Sequence, residues 1–322
     1  MQCRSYSLPL QRVITDFGAD VPFGQIPQKL QEHHGITVPI SSAQAITLRH
    51  AEAVLQAEQL EHEMPSFGSS ACLITEMDGS YIPIVTTDGQ GKSRAKQDHR
   101  KTRTLGWMEA RLALCHPQDQ RTIRYGATLG TPQEAGDQLL DCAIRSGAGQ
   151  QTYIHAVGDG ALWIAAQVAS CFGEPGRYLI DFYHLSEYLA DASVVCAPQS
   201  AKAWLKQQQQ RCKENQIEAV LKALKPHREK HTRLNQTAPV EAAYRYISNR
   251  LDQLDYQGSL RENLPIGSGE IESAHRYVIQ QRLKRPGAWW SVSHAGTMLS
   301  LRVLRANQDW NNYWRNRSAA TI

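Results

Sequence analysis

Apolar residues in the first sixty positions recur every three or four places, in three blocks: LPLQRVITDFGA, PFGQIPQKLQEHHG and SSAQAITLRHAEAVLQAEQLEHE. That period puts them on one side of a helix, so three short amphipathic helices are expected over residues 7–62. The second and third, separated by a brief turn, with Ser41 and Ser42 opening the third, have the outline of a helix-turn-helix. From Ser70 the period changes. SSACLITEM, YIPIVTT, MEARLALCHP and TIRYGATLG are rich in apolar and β-branched residues and bounded by turn formers, which predicts three or four strands and an antiparallel start to a sheet. Asp78 and Gly79 separate the first two runs, where an Asp-Gly pair alone reads as a hairpin turn. The segment DGQGKSRAKQDHRKTRT, with six Lys and Arg, is too rich in glycine and charge to pack and is expected to be a loop, either meeting a phosphate backbone or simply mobile.

The alternation then becomes one of strands and helices. A helix TPQEAGDQLLDCAIRSG, started by Thr131 and Pro132, is followed by the strand TYIHAV, a helix from Ala161 to Cys171 and the strand RYLIDFYH. Strands separated by helices extend a sheet in parallel, and the succession β-β-β-α-β-α-β is that of a ribonuclease-H-like α/β core. After His184 the chain reads as helix to about Tyr256, much of it basic. The stretch Leu264 to Trp290, LPIGSGEIESAHRYVIQQRLKRPGAWW, then opens a new buried helix: Gly267, Ser268 and Gly269 mark its start, and Ile271, Ala274 and Val278 recur at helical spacing. The expected organisation is a helical, helix-turn-helix-like region over 1–65, the first part of the core over 66–190, an all-α insertion over 191–262, and core helices over 263–322.

Hydrophobic residues make up 41 % of the 322, ample for a core. No run of 18 apolar residues occurs, and MQCRSYSLPL has no apolar stretch of signal-peptide length, so a cytoplasmic protein without a membrane partner is expected. Seven scattered cysteines (Cys3, Cys72, Cys115, Cys142, Cys171, Cys196, Cys212), none in a C-x-x-C pair, point to reduced core residues. Charge is unevenly spread. Residues 1–198 hold 15 Lys and Arg against 21 Asp and Glu, and residues 199–322 hold 20 against 10. A basic C-terminal half is what a nucleic-acid binder requires, though basic helices also serve as plain solvated surface.

The candidate chemistry lies in the carboxylates. Asp78 and Asp159 both end buried strands, where chemistry collects in an α/β sheet; alone, Asp159 in IHAVGDGALW also reads as a helix cap. A third acid comes from the Leu264–Trp290 stretch. Glu270 and Glu272 project roughly 160° to 200° apart on a helix, so only one faces a shared site. Glu272 shares its side with Arg276 and Ile279, whereas Glu270 reads as a first-turn acid favouring the helix dipole; spacing alone barely separates them. Three converging carboxylates repel unless cations lie among them. Hard oxygen ligands suit Mg²⁺ or Mn²⁺, and a pair of such ions about 3.5 to 4 Å apart serves phosphodiester cleavage. Of the aromatics after the basic run, Trp289, Trp290, Trp310, Tyr313 and Trp314, most are expected in the core, with Trp289 the best placed to meet DNA.

The motifs MDGSYIPIV, VGDGALW, DFYHLSEYL and GSGEIESAHRYVIQQRLKRPGAWW, in this order, resemble the DDE transposases of bacterial insertion sequences, most closely the ISKra-like group related to Mutator-like elements. The resemblance spans about Ser70 to Asn312. It implies Asp78, Asp159 and Glu272 as the catalytic and metal-binding acids, Glu272 being chosen because the family's glutamate directly precedes the serine. It further implies supporting roles for Asp181 and His184 in DFYH, with Arg276, Arg282, Lys284 and Arg285 on phosphate. The implied activity is Mg²⁺-dependent (or Mn²⁺-dependent) cleavage at element ends followed by transfer of the 3′-hydroxyl into target. Its partner is double-stranded DNA, bound by a homo-oligomer on the bacterial nucleoid. His275 stands where relatives commonly carry Asn or Cys, and the sequence before the helix-turn-helix-like region is shorter than usual. A truncated DNA-binding remnant and a nuclease without strand transfer are the alternative expectations.

Overall fold

Five segments, Cys72–Thr87 (β1), Arg103–Pro117 (β2), Arg124–Thr128 (β3), Tyr153–Gly158 (β4) and Gly176–Ile180 (β5), form one mixed sheet in the order β3-β2-β1-β4-β5. β1, β2 and β3 pair antiparallel; β4 joins β1, and β5 joins β4, in parallel. The computed structural model describes residues 6–87, 103–174, 176–229 and 238–319. The basic loop expected over 88–104 lies outside the described residues except for Arg103 and Thr104, which open β2.

One expectation is corrected at Asp78 and Gly79. No turn forms there: SSACLITEM and YIPIVTT are a single strand, and Asp78 faces Leu112 in an unbroken ladder running to Thr87 opposite Arg103. The physical reason is the partner strand. A continuous apolar run in β2 pairs residue for residue with both halves of β1, and this long ladder overrides the local turn preference.

Helices cover both faces. On one, α4 (Pro132–Arg145) and α5 (Leu162–Phe172) bury Leu139, Cys142, Ile164 and Val168 against Leu73, Met77, Ala113 and Ile154. Thr131 forms the expected start of α4 in a full capping box with Glu134. On the other face, Ile82, Ile84, Ala110, Leu112 and Leu114 meet Ile271, Ala274, Val278 and Leu283 of the Leu264–Trp290 stretch, together with Met298, Leu299 and Leu301 of α13 (Val292–Ala306). A second body of helices, α6 (Phe182–Cys196), α7 (Ala201–Lys213), α8 (Ile217–Leu224), α9 (Pro239–Ser248) and α10 (Tyr256–Arg261), closes around its own apolar centre of Leu185, Leu189, Val220, Ile247 and Tyr256.

The N-terminal helices α1 (Leu8–Asp20), α2 (Ile26–His34) and α3 (Ile40–Gln56) form as expected, with Gly35 in the left-handed conformation (φ 65°) ending α2. Helix α3 starts at Ile40 behind Pro39, so the serines lie inside its first turn, and it stops at Gln56. It does not stand apart from the rest. Ala51 and Val54 belong to the sheet core, and His50 Nδ1 lies 2.8 Å from the Tyr313 hydroxyl of α14 (Trp310–Ala319). No helix among the described residues is long and apolar enough to cross a membrane.

Candidate acidic site at the end of the parallel ladder

The β1–β4 ladder ends at Glu76 opposite Val157. Two residues further along come Asp78, still inside β1, and Asp159, just past the end of β4, so both aspartates lie where the two strands part. The two side chains are held differently. Asp159 Oδ1 accepts the Ala161 N–H at 2.8 Å, an Asx turn before α5, whose N-cap is Ala161. Asp78 Oδ1 accepts the Gly79 N–H at 2.7 Å and Oδ2 lies 3.3 Å from His275 Nε2.

The third acid arrives on a helix built in three parts: α11 (Gly269–Ala274), a π-helical stretch over His275–Gln280, and α12 (Gln281–Leu283). The wider π turn rotates everything after it, which is why Ile279 is fully buried while Glu272 and Arg276, expected on the same side, stay exposed. Carbonyls left over by such a turn need donors. The buried Arg302 of α13 supplies them, its guanidinium bonding the carbonyl oxygens of Tyr277, Val278 and Ala19 and pairing with Asp20.

The start of this helix is fixed from three directions, and this separates the two glutamates. Asp181 caps α6 by accepting the Tyr183 and His184 N–H groups at 2.5 and 3.0 Å, while its other oxygen accepts the Ser268 N–H and hydroxyl, both at 2.6 Å. Gly267 passes so close to Tyr183 that a Cβ there would fall 2.7 Å from its ring. Glu76, buried inside β1, accepts the Ile271 N–H at 2.7 Å. Glu270 pairs with His116 Nε2 at 3.0 Å, its carboxyl held below the usual range by that histidine. Glu270 is therefore engaged at the far end of β2, and Glu272 is left toward Asp78.

The acids lie within reach of one another's charge. Burial, opposed by the Gly79 N–H and helped by the charges of Asp159, Glu109 and Glu272, pushes the Asp78 carboxyl up to about 6. Carboxylate oxygens are the donor type that Mg²⁺ or Mn²⁺ takes, and such a cation would relieve the repulsion among them. Among the described residues no group of three or more His, Cys, Asp or Glu stands close enough to hold one ion together; the acids share a field without forming a closed ligand shell. Burial lowers His275 to about 4, so its imidazole is neutral beside Asp78 at pH 7.

The Asp159 backbone is clamped from the second helical body. The Tyr246 hydroxyl of α9 donates to the Asp159 carbonyl at 2.7 Å, and Arg250 Nε to the Gly160 carbonyl at 3.0 Å. Gly160, at φ +85°, is required twice over, since a Cβ would meet the Tyr246 oxygen at 2.7 Å. His184 belongs to this clamp. RYLIDFYH is not strand throughout: β5 ends at Ile180, Asp181 caps, and His184 sits in α6 with Nδ1 3.6 Å from Glu187 and its ring against Tyr188 and Tyr246. His184 thus stands behind the Tyr246 clamp, and Asp181 braces the start of the Glu272 helix.

The basic run divides. Lys284 is exposed, and Arg285 Nη1 donates to the Asp20 carbonyl at 3.3 Å. Arg282 is corrected: only 2 % exposed, it lies between the rings of Phe23 and Trp290 and donates to the Gly18 carbonyl at 2.9 Å, out of reach of phosphate. Its role is to tie α1 to α12. Trp290 and Trp314 are buried as expected, and Trp289 is 41 % exposed.

Sequence reasoning missed Glu76, Glu109 and His116. Glu76 had a legible signal, a lone carboxylate inside the apolar run LITEM. Burial, opposed by the Ile271 N–H, holds it up at about 8. Because this value lies above the ordinary 4.5, the fold keeps a proton that the unfolded chain releases, and stability falls as pH rises from about 4.5 to about 8. In metal-free buffer Glu76→Gln, which keeps an acceptor for Ile271, is expected to melt above the wild type at pH 8. Glu76→Ala should lose about 1 kcal/mol or more at low pH, as for a lost cap. Thermal melts from pH 5 to 9 check both, and parallel curves for wild type and Gln variant would contradict the account.

None of the curated proteins compared with the chain matches it. Residues 146–317 match the family described as an uncharacterised protein family, UPF0236; the match takes in Asp159, Asp181, His184 and Glu272 and starts beyond Asp78. Spanning more than half of the 322 residues, it makes this chain a member of the UPF0236 family.

Proposed function

We propose that the chain is a DNA transposase of the DDE type with a ribonuclease-H-like core, similar to the ISKra-like insertion-sequence enzymes, acting on double-stranded element ends as a homo-oligomer. The observation that carries this reading is that Asp78 inside β1, Asp159 just past the end of β4 and Glu272 at a helix start lie near enough for the charges of Asp159 and Glu272 to raise Asp78. The strand succession and the mixed sheet, three antiparallel strands followed by two parallel ones, support the core assignment.

Asp78, Asp159 and Glu272 would hold Mg²⁺ or Mn²⁺, which when bound supplies the charge that activates an attacking oxygen and steadies the leaving oxygen of a phosphodiester. The remaining residues position these acids. Tyr246 and Arg250 fix the Asp159 backbone, Asp181 and Glu76 fix the helix that delivers Glu272, and Arg302 stabilises its π turn. Exposed Arg276 and Lys284, with Arg285, are the cations offered to phosphate.

The test is incubation of the purified chain with linear DNA carrying the ends of its element, in Mg²⁺ and then Mn²⁺, scored for nicks and for joined products. Nicking at the ends followed by joining is the expected result. Nicking without joining would reduce the reading to a nuclease, and end-specific binding with no cleavage in either metal would overturn it in favour of a DNA-binding remnant.

A further inference from the structure

Beyond Asp78, β1 and β2 continue as a ribbon to Thr87 and Arg103. Its two faces differ sharply. Ile82, Ile84 and Ala110 are buried against α13 and the Glu272 helix, whereas the opposite face shows Tyr81 at 56 %, Leu105 at 54 % and Trp107 at 60 % exposure. Strand alternation puts Arg103, Leu105 and Trp107 in one row on that face, and pairing sets Pro83 across from Trp107.

The other edge of the ribbon is taken by the chain at Trp290. Val85 N–H donates to the Trp290 carbonyl at 2.8 Å and Trp290 N–H to the Pro83 carbonyl at 3.3 Å. With the Trp290 ring in the core, Trp289 falls on the open face, its ring 6.4 Å from that of Trp107 and tilted 59° to it. The pair covers the buried Pro83. A tilt of this size leaves no slot between the rings, so Trp289 works as a wall and one face of Trp107 stays open. A cation stands at the tip of the patch, the exposed Arg103, in the same strand row as Trp107.

We infer that this face is a stacking site for an unpaired nucleotide base, seated on Trp107 with Trp289 at its edge and its phosphate met by Arg103. The inference rests on the proposed action on DNA and names which part of the strand is held. Exposed indole next to positive charge suits a base, which offers a π-face and an anionic backbone together. Pro83 lies five residues from Asp78, about 17 Å along β1, and alternation sets the Asp78 side chain on the other face of the ribbon, so the base held here is separate from the acids.

Binding of a fluorescent oligo(dT) single strand tests it, by anisotropy in EDTA so that cleavage plays no part. Trp107→Ala is expected to weaken binding about ten-fold, the loss of one stacked base, with Trp107→Phe between it and wild type and Phe67→Ala, an exposed aromatic outside the patch, unchanged. Unaltered affinity in Trp107→Ala, or no binding of oligo(dT) by the wild type, would overturn the inference. A Trp107→Ala protein that only shifts from dimer to monomer in sedimentation would overturn it too, assigning the face to a second copy of the chain. Because the readout needs no metal, a stacking effect without Mg²⁺-dependent cleavage would leave the site standing and remove the transposase reading alone.

Discussion

Replacing Asp78, Asp159 or Glu272 singly by alanine is expected to lower Mg²⁺-dependent cleavage of an element-end DNA by at least about 10²-fold, because residues one layer outside a metal already cost 10- to 100-fold. Glu270→Gln is expected to stay within a few-fold of wild type, since Glu270 faces His116 and is not among the groups that raise Asp78. A second readout distinguishes a ligand from a structural residue. Asp78 titrates at about 6 in the fold against an ordinary 3.8, so without a cation its ionisation opposes folding, and stability is lost as pH rises between these values. Asp78→Asn should therefore melt higher than wild type at pH 8 in EDTA while being inactive in Mg²⁺. Single-turnover cleavage and thermal melts on the same preparations measure both. Full activity in Glu272→Ala would sink the assignment.

The largest loss of stability is expected at Arg302. Its side chain is almost wholly buried, and it joins α1, through Ala19 and Asp20, to the π turn, through Tyr277 and Val278. Arg302→Leu leaves those carbonyls without their donor and Asp20 without its partner, a loss of about 3 to 5 kcal/mol by analogy with other broken buried pairs. Lysine should not restore it, because one ammonium group cannot reproduce a planar fork that serves several acceptors at once. Urea unfolding of wild type, Arg302→Leu and Arg302→Lys gives the measurement. A loss below about 1 kcal/mol in the leucine variant would show that the π turn holds without its brace.

The periodicity of the chain made the helices and most strands legible, because burial on one side of each element imposes its own spacing. It failed at Asp78–Gly79, where a local turn preference was outweighed by pairing with a strand some thirty residues away, a partner that no local window contains. It failed again in the helix of Glu272, since straight 3.6-residue phasing cannot anticipate a π turn whose carbonyls are bonded by Arg302, more than twenty residues further on. Arg282 was legible as a cation but not as a buried one; its shelter between Phe23 and Trp290 exists only after α1 has packed. Likewise the choice between Glu270 and Glu272 was undecided by spacing, and a resemblance had to make it. The structure supplies a physical ground in His116, which engages one glutamate and leaves the other near Asp78.

The measurement closest to the central claim is Mn²⁺ binding by electron paramagnetic resonance, with no DNA present, on wild type and on Asp78→Asn, Asp159→Asn, Glu272→Gln and Glu270→Gln. Bound Mn²⁺ in the wild type, weakened at least about ten-fold in the first three variants and unchanged in Glu270→Gln, is the predicted result. Binding that survives Glu272→Gln but is lost in Glu270→Gln would contradict the account.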